Sequence, residues 1–206
     1  MKDFIFGYGS LVSPRNLERF LAKRSLKPRE VQQGRISGFR RVWNVAMDNT
    51  KDLPGYKFYR DAATGERPAC FVTFLNIEPC APGDSVNGVA FEIPHEVLPH
   101  FDRRERNYER IDVTQAFVPA VDGRVWAYIA RDDGLERYRT GVAAGRAVVD
   151  TQYYKEVEQA FRDLGSEAYA RFIASTLPPA VKLRDLVRHD IPEAAPQTGS
   201  PAQDEP

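Results

Sequence analysis

Two short segments carry the residue types that chemistry would need. The first, Gly7-Tyr8-Gly9-Ser10, follows the apolar run Phe4-Ile5-Phe6 and precedes a helix start at Ser13-Pro14. Two glycines beside a helix start let backbone N–H groups turn toward a bound anion or a carbonyl oxygen. A carboxylate-bearing ligand suits such a nest. A tight strand-to-helix turn with no ligand has the same spacing and is the simpler reading of the spacing alone. The segment is not a dinucleotide fingerprint, because Val12 stands where the third glycine belongs and no regular βαβ unit surrounds it. No Gly-Lys-Ser/Thr follows to make a phosphate loop, and Ser10 does not sit in a G-x-S-x-G elbow.

The second segment is Leu98-Pro99-His100-Phe101-Asp102-Arg103-Arg104-Glu105. Positions 98, 101 and 105 share one helical face, provided that Pro99 lies in the first turn. Glu105 then continues the apolar stripe of Leu98 and Phe101. A carboxylate taken from water beside apolar groups has its pKa raised toward the range useful for proton transfer at neutral pH. With Arg103, Arg104, Arg106 and Arg110 close by, a plain ion pair accounts for Glu105 equally well and with fewer assumptions. Other reactive residue types are sparse. Cys70 and Cys80 form no CxxC pair, and His95, His100 and His189 are scattered without metal-ligand spacing. Neither a metal nor another cofactor is expected.

The elements that must position these groups follow from local pattern. Phe4 to Tyr8 reads as a buried strand, and Leu17, Phe20 and Leu21 as the apolar stripe of a first helix. Residues 35–47 read as one long strand and 48–68 as a long polar loop, a length that is often functional. Strands are expected over Ala69 to Ile77 and Val86 to Ile93. Two further β-rich runs, Arg110 to Val121 and Arg124 to Ala130, flank the hairpin signal Asp122-Gly123. Thr151 is the expected cap of a helix carrying Tyr154, Val157, Phe161 and Leu164 and stopped by Gly165. A last helix from about Ser166 ends before Pro178-Pro179. The order predicts an α+β domain with a mixed, largely antiparallel β-sheet or barrel and flanking helices, spanning residues 1–191. Residues 192–206, rich in Pro, Ala, Gln and acids, predict a disordered tail.

Composition narrows the function classes. Lys+Arg and Asp+Glu number 29 each, so the net charge is zero and the basic excess of a nucleic-acid binder is absent. No apolar run approaches the roughly 18 residues of a membrane span. Met1-Lys2-Asp3 leads into only a short apolar stretch with no cleavage-like region, which predicts a cytoplasmic location.

In combination the two segments resemble a known family. Phe6-Gly7-Tyr8-Gly9-Ser10-Leu11 after a first strand is similar to the YGSL/YGSN signature of gamma-glutamylcyclotransferases, including their ChaC-type and AIG2-like branches. Asp102-Arg103-Arg104-Glu105-Arg106-Asn107-Tyr108 resembles the second signature of that family. Weaker similarities lie in Gly38-Phe39-Arg40-Arg41-Val42-Trp43 and in Tyr154-Lys155-Glu156-Val157. The resemblance implies a small closed β-barrel with a pocket at its mouth and a reaction that needs no cofactor. In it a γ-glutamyl group cyclises to 5-oxoproline and an amine departs. It implies Glu105 as general acid/base, Phe6, Gly7, Tyr8, Gly9, Ser10 and Leu11 as the loop that binds substrate, and Tyr154 as a substrate-side tyrosine. ChaC-type members carry Gly-Gly-Tyr after the glutamate where this chain has Arg106-Asn107-Tyr108, a difference on the leaving-group side that bears on glutathione as substrate. The rival expectations are a non-catalytic binding module of the same fold, an enzyme acting on a γ-glutamylated small amine, and an interaction domain using the Pro-rich tail. That tail has no PxxP spacing with basic flanks.

Overall fold

The computed structural model describes residues 1–22 and 29–193. β1 (Lys2–Gly7) runs into a short 3-10 turn at Ser10–Val12 and then α1 (Pro14–Ala22), which buries Leu17 and Leu21 as its periodicity predicts. The expected single strand over 35–47 is instead two strands, β2 (Arg29–Ser37) and β3 (Phe39–Asp48). Gly38 separates them with φ of 79°, a left-handed conformation that glycine adopts at little steric cost. The chain there leaves one sheet and enters another. The expected loop over 48–68 contains β4 (Lys57–Asp61). β5 (Phe71–Pro79) and β6 (Ser85–Ile93) match expectation, and α2 (Leu98–Arg104) follows with Pro99 in its first turn.

β7 (Tyr108–Asp112), β8 (Phe117–Val118) and β9 (Gly123–Ala130) replace the simple hairpin expected across Asp122-Gly123. β7 pairs with β9, while β8 crosses to β2. α3 (Asp132–Ala143) was not legible in the periodicity, since it presents Gly134 and Gly141 to the strands beneath. A Cβ at Gly134 would lie 2.7 Å from Val45 Cγ2. β10 (Ala147–Asp150) leads into α4 (Thr151–Asp163), whose cap is Asp150 and not Thr151. The Asp150 carboxylate accepts from the N–H groups of Gln152 and Tyr153, both at 3.3 Å. Gly165 stops that helix with φ of 112°, and α5 (Ser166–Ala174), β11 (Lys182–Arg184) and β12 (Leu186–Asp190) follow as the last described elements. The expected tail lies almost wholly outside the described residues.

Six strands form one sheet in the order β7-β9-β1-β6-β2-β8, and four form a second in the order β11-β10-β5-β3. Pairing is antiparallel except at β1–β9, β5–β10 and β10–β11. The two sheets curl as a half-barrel around one core that also takes residues from α1, α2, α4 and α5. β1 is the innermost strand, buried from Asp3 to Gly7, so its C-terminal end delivers the glycine loop to the middle of the molecule. A third, two-stranded sheet pairs β4 with β12 antiparallel, Lys57 opposite Asp190. The architecture is mixed α+β with five α-helices among the described residues. None of these helices is long and apolar enough to cross a membrane.

Candidate active site

The glycine loop is packed on both sides. A Cβ at Gly7 would lie 2.9 Å from Leu11 Cβ and 3.1 Å from the Leu11 carbonyl carbon, so the fold-back into the 3-10 turn needs glycine. At Gly9 a Cβ would instead point into the gap between Leu75 Cδ2, at 3.5 Å, and the hydroxyl of Tyr153, at 3.6 Å. The loop thus faces β5 and the first turn of α4. Asp150 fixes that turn by capping it at Tyr153.

Arg41 holds the loop from behind. Its side chain is fully buried on β3 with no exposed surface. Nε donates to the Tyr8 carbonyl at 2.9 Å and Nη1 to Ser175 Oγ at 2.7 Å. Nη2 donates to the Asn87 carbonyl and, at 3.1 Å, to Asn87 Oδ1. One guanidinium therefore ties the loop to β6 and to the C-terminal end of α5. No carboxylate pairs with it among the described residues, and burial pushes its pKa down to about 9. In a trans peptide the N–H points opposite to the C=O. Holding the Tyr8 carbonyl from the Arg41 side therefore turns the Gly9 N–H away from Arg41.

Glu105 is not in α2 but caps its C-terminus, with φ −92° and ψ 47° and its N–H bonded to the Phe101 carbonyl. Leu98 and Phe101 are buried as the stripe predicts, while the Glu105 side chain keeps 18% of its surface exposed. Arg104 Nη1 donates to Oε1, and Oε2 has no hydrogen bond among the described residues. The carboxylate lies within the electrostatic reach of Tyr8, Tyr56, Tyr108, Tyr128, Tyr153 and Lys57. Burial first, and the Glu105 charge among the further causes, pushes all five phenols up, Tyr56 to about 12. All five stay protonated at neutral pH and remain hydrogen-bond donors. Tyr8 spends its proton on the Tyr128 carbonyl at 2.5 Å and Tyr108 on the Leu75 carbonyl at 2.8 Å. Tyr128 spends its own on Asp102 at 2.8 Å. Tyr56 accepts from Asn107 Nδ2 at 2.9 Å. The protons of Tyr56 and Tyr153 have no acceptor side chain among the described residues.

The remaining sequence-predicted residues are distributed as follows. Phe6 packs against Phe117 in the core with ring centroids 5.7 Å apart, and Leu11 is buried against Gly7, so each can face a ligand only through its backbone. Ser10 is half-buried, and its carbonyl accepts from Asn16 at 3.1 Å. Tyr154 turns away from Gly9. Its ring lies 5.3 Å from that of Trp43, and its hydroxyl donates to Glu158 at 3.4 Å. The tyrosine beside Gly9 is its neighbour Tyr153, and only the phase of α4 distinguishes the two. Tyr56, Lys57 and Arg41 are the groups that sequence reasoning passed over at this site. The strand-forming run Tyr56-Lys57-Phe58-Tyr59 inside a polar connection was the available signal. No group of three or more His, Cys, Asp or Glu among the described residues is arranged to hold a metal.

Two clefts, of about 510 and 380 Å³, lie elsewhere. One opens beside Met1 and the 112–116 turn, the other between β3 and the end of α5, and neither includes Glu105 or the glycine loop. The chemistry-bearing groups converge instead at the partly exposed edge around Glu105, where one carboxylate oxygen and two phenol protons are left unspent among the described residues, and one of those phenols, Tyr153, lies beside the glycine loop.

No curated protein matches the sequence. Among solved structures, one described as a gamma-glutamyl cyclotransferase is similar with a TM-score of 0.54 and 14% identity, over 87% of this chain and 89% of that one. The human protein described as uncharacterized protein loc79017 gives 0.52 and 13% identity, over 86% and 89%. YkqA from Bacillus subtilis gives 0.51 and 13%, over 87% of this chain and 56% of the longer protein. At such identities these likenesses concern the fold. Residues 5–146 match the family described as Gamma-glutamyl cyclotransferase, AIG2-like, a stretch that takes in the glycine loop, Arg41, β4 and Glu105 and leaves out α4, α5 and β12. By that match, and with a fold in agreement, the chain belongs to the gamma-glutamyl cyclotransferase, AIG2-like family.

Proposed function

We propose that this protein cyclises a γ-glutamyl group to 5-oxoproline and releases an amine or amino acid, with Glu105 as the general acid/base. The observation that carries this reading is the uncommitted Oε2 of Glu105 among protonated tyrosines, one of which, Tyr153, also faces Gly9. Glu105 takes a proton from the substrate's α-ammonium, and the freed amine attacks its own γ-carbonyl. A carbon–nitrogen bond forms, and the carbonyl oxygen becomes an oxyanion. Backbone N–H groups of the loop, with the phenol of Tyr153, stabilise that oxygen. The new ring nitrogen sheds a second proton, the departing nitrogen takes up two, and the old amide bond breaks. The proton count balances with no other reagent. Because attack is intramolecular, holding one rotamer of the substrate supplies much of the rate.

The test is 5-oxoproline release from a panel of glutathione, a γ-glutamyl dipeptide and γ-glutamyl-ε-lysine. Glu105→Gln is expected to lower turnover about 10²- to 10⁴-fold with binding largely kept. A variant as active as the wild type removes Glu105 from the reaction. The pairing of Glu105 with Arg104 favours a second reading, a non-catalytic module that binds γ-glutamyl compounds. Binding without release of 5-oxoproline from any panel member selects it.

A further inference from the structure

The two-stranded sheet pairs β12, from beyond the family match, with β4, which carries Lys57 at the edge of the site. The ammonium of Lys57 rests on the ring of Phe74, 4.2 Å from its centroid, with Tyr56 at 5.5 Å and Tyr59 at 5.9 Å. Phe74 in turn meets Tyr153 edge-to-face at 5.4 Å, and Tyr153 faces Gly9. Tyr56 is tied to Asn107, two residues past Glu105. Lys57 therefore stands two rings, Phe74 and Tyr153, away from the glycine loop, on the side of the site formed by the segment following Glu105.

Among the described residues Lys57 makes no ion pair and no hydrogen bond, and it is half-buried by surface area though packed round by protein atoms. The charged groups that reach it are Arg188, Arg104, Glu105 and Asp190. Arg104 already pairs with Glu105, and Arg188 with Asp190 at 2.7 Å. Those four cancel in pairs, which leaves the Lys57 ammonium as the excess charge. An aromatic face is a weaker resting place for an ammonium than a carboxylate. A carboxylate arriving there displaces no existing ion pair.

We infer that Lys57 binds a carboxylate on the departing half of the substrate, so that the substrate class is γ-glutamyl amino acids or peptides rather than γ-glutamylated simple amines. This rests on the cyclotransferase reading above. The glutamyl end is the part enclosed by the loop of residues 7–11, whose N–H groups serve its own carboxylate. Glu105 hands its proton to the departing nitrogen, so whatever that nitrogen carries extends past Glu105 toward Tyr56 and Lys57. In an α-amino acid the carboxyl carbon lies only about 2.5 Å from the nitrogen, and the flexible lysine stem covers the remaining reach.

The test compares γ-glutamylalanine with γ-glutamylethylamide, which differ only in that carboxylate. 5-Oxoproline release is measured on wild type, Lys57→Met and Lys57→Arg. Binding of both compounds is measured by calorimetry on the Glu105→Gln protein, with and without Lys57→Met. The wild type is expected to prefer γ-glutamylalanine about 10- to 100-fold, the range of one charge-assisted contact. Lys57→Met should erase that preference by losing γ-glutamylalanine alone, and Lys57→Arg should retain most of it. An equal loss on both compounds would assign Lys57 to the glutamyl carboxylate and overturn the inference. No preference in the wild type overturns it as well. A binding preference that depends on Lys57, without any 5-oxoproline release, sustains the inference while the catalytic reading falls.

Discussion

Replacing Arg41 by methionine keeps the length and apolar stem of the side chain and removes a guanidinium that holds three segments together. The Tyr8 carbonyl, the Asn87 carbonyl and side chain, and Ser175 Oγ all lose their donor. A buried acceptor left without a partner costs about 1–3 kcal/mol, so these four acceptor atoms predict a loss of roughly 4–12 kcal/mol before relief. Relief comes from no longer burying a cation, a penalty evident in the fall of the Arg41 pKa to about 9. The net expectation is a loss of about 3–5 kcal/mol, the range seen when one member of a buried charged network is deleted. Against a typical total of about 5–15 kcal/mol, that leaves a protein that folds weakly or not at all at 37 °C. Arg41→Lys should also lose about 2–3 kcal/mol, because one ammonium cannot present a planar fork to four separate oxygens. Urea unfolding at pH 7 measures both, with the slope held common so that midpoints report stability. A methionine variant within about 1 kcal/mol of wild type would refute the argument, since it would mean that the loop, β6 and α5 hold their places without the guanidinium.

Two further outcomes follow from the same geometry. Tyr153→Phe should lower turnover about tenfold or more by removing a phenol beside Gly9, whereas Tyr154→Phe, whose hydroxyl meets Glu158, should leave turnover within about twofold; the reverse pattern would move the site to the other face of α4. The pH dependence of stability should carry the mark of Lys57, whose pKa burial pushes from 10.5 down to about 7. Below pH 7 both folded and unfolded chains hold that proton and the cost of burying the charge is fully present. Between pH 7 and 9 the unfolded chain binds more protons, so stability rises with pH. Chemical unfolding across that window should show the rise in wild type and a flatter profile in Lys57→Met, and parallel profiles would deny the burial.

What the sequence determined by itself was local. An apolar run ending in Gly7-Tyr8-Gly9 reads as strand and loop because side-chain period and glycine turns are properties of a few adjacent residues. The same holds for the stripe of α1, the buried Leu98 and Phe101, and the stop at Gly165. Glu105 was legible as a residue following that stripe, but its place as the cap of α2 was not. Arg104 and Glu105 are consecutive, and only the end of the helix lets both side chains meet. Long-range pairing decided the rest. Residues 57–61 look like loop until they meet 186–190 from the far end of the chain, and no local pattern encodes which strand finds which. Arg41 is one charge in a strand-like run until its partners Tyr8, Asn87 and Ser175 surround it. Neighbouring Tyr153 and Tyr154 are equivalent in sequence and both rings meet Trp43, but the Asp150 cap that sets the phase of α4 sends the Tyr153 hydroxyl to Gly9 and the Tyr154 hydroxyl to Glu158. Burial of polar groups is affordable only where partners converge, and that convergence is a property of the tertiary structure alone.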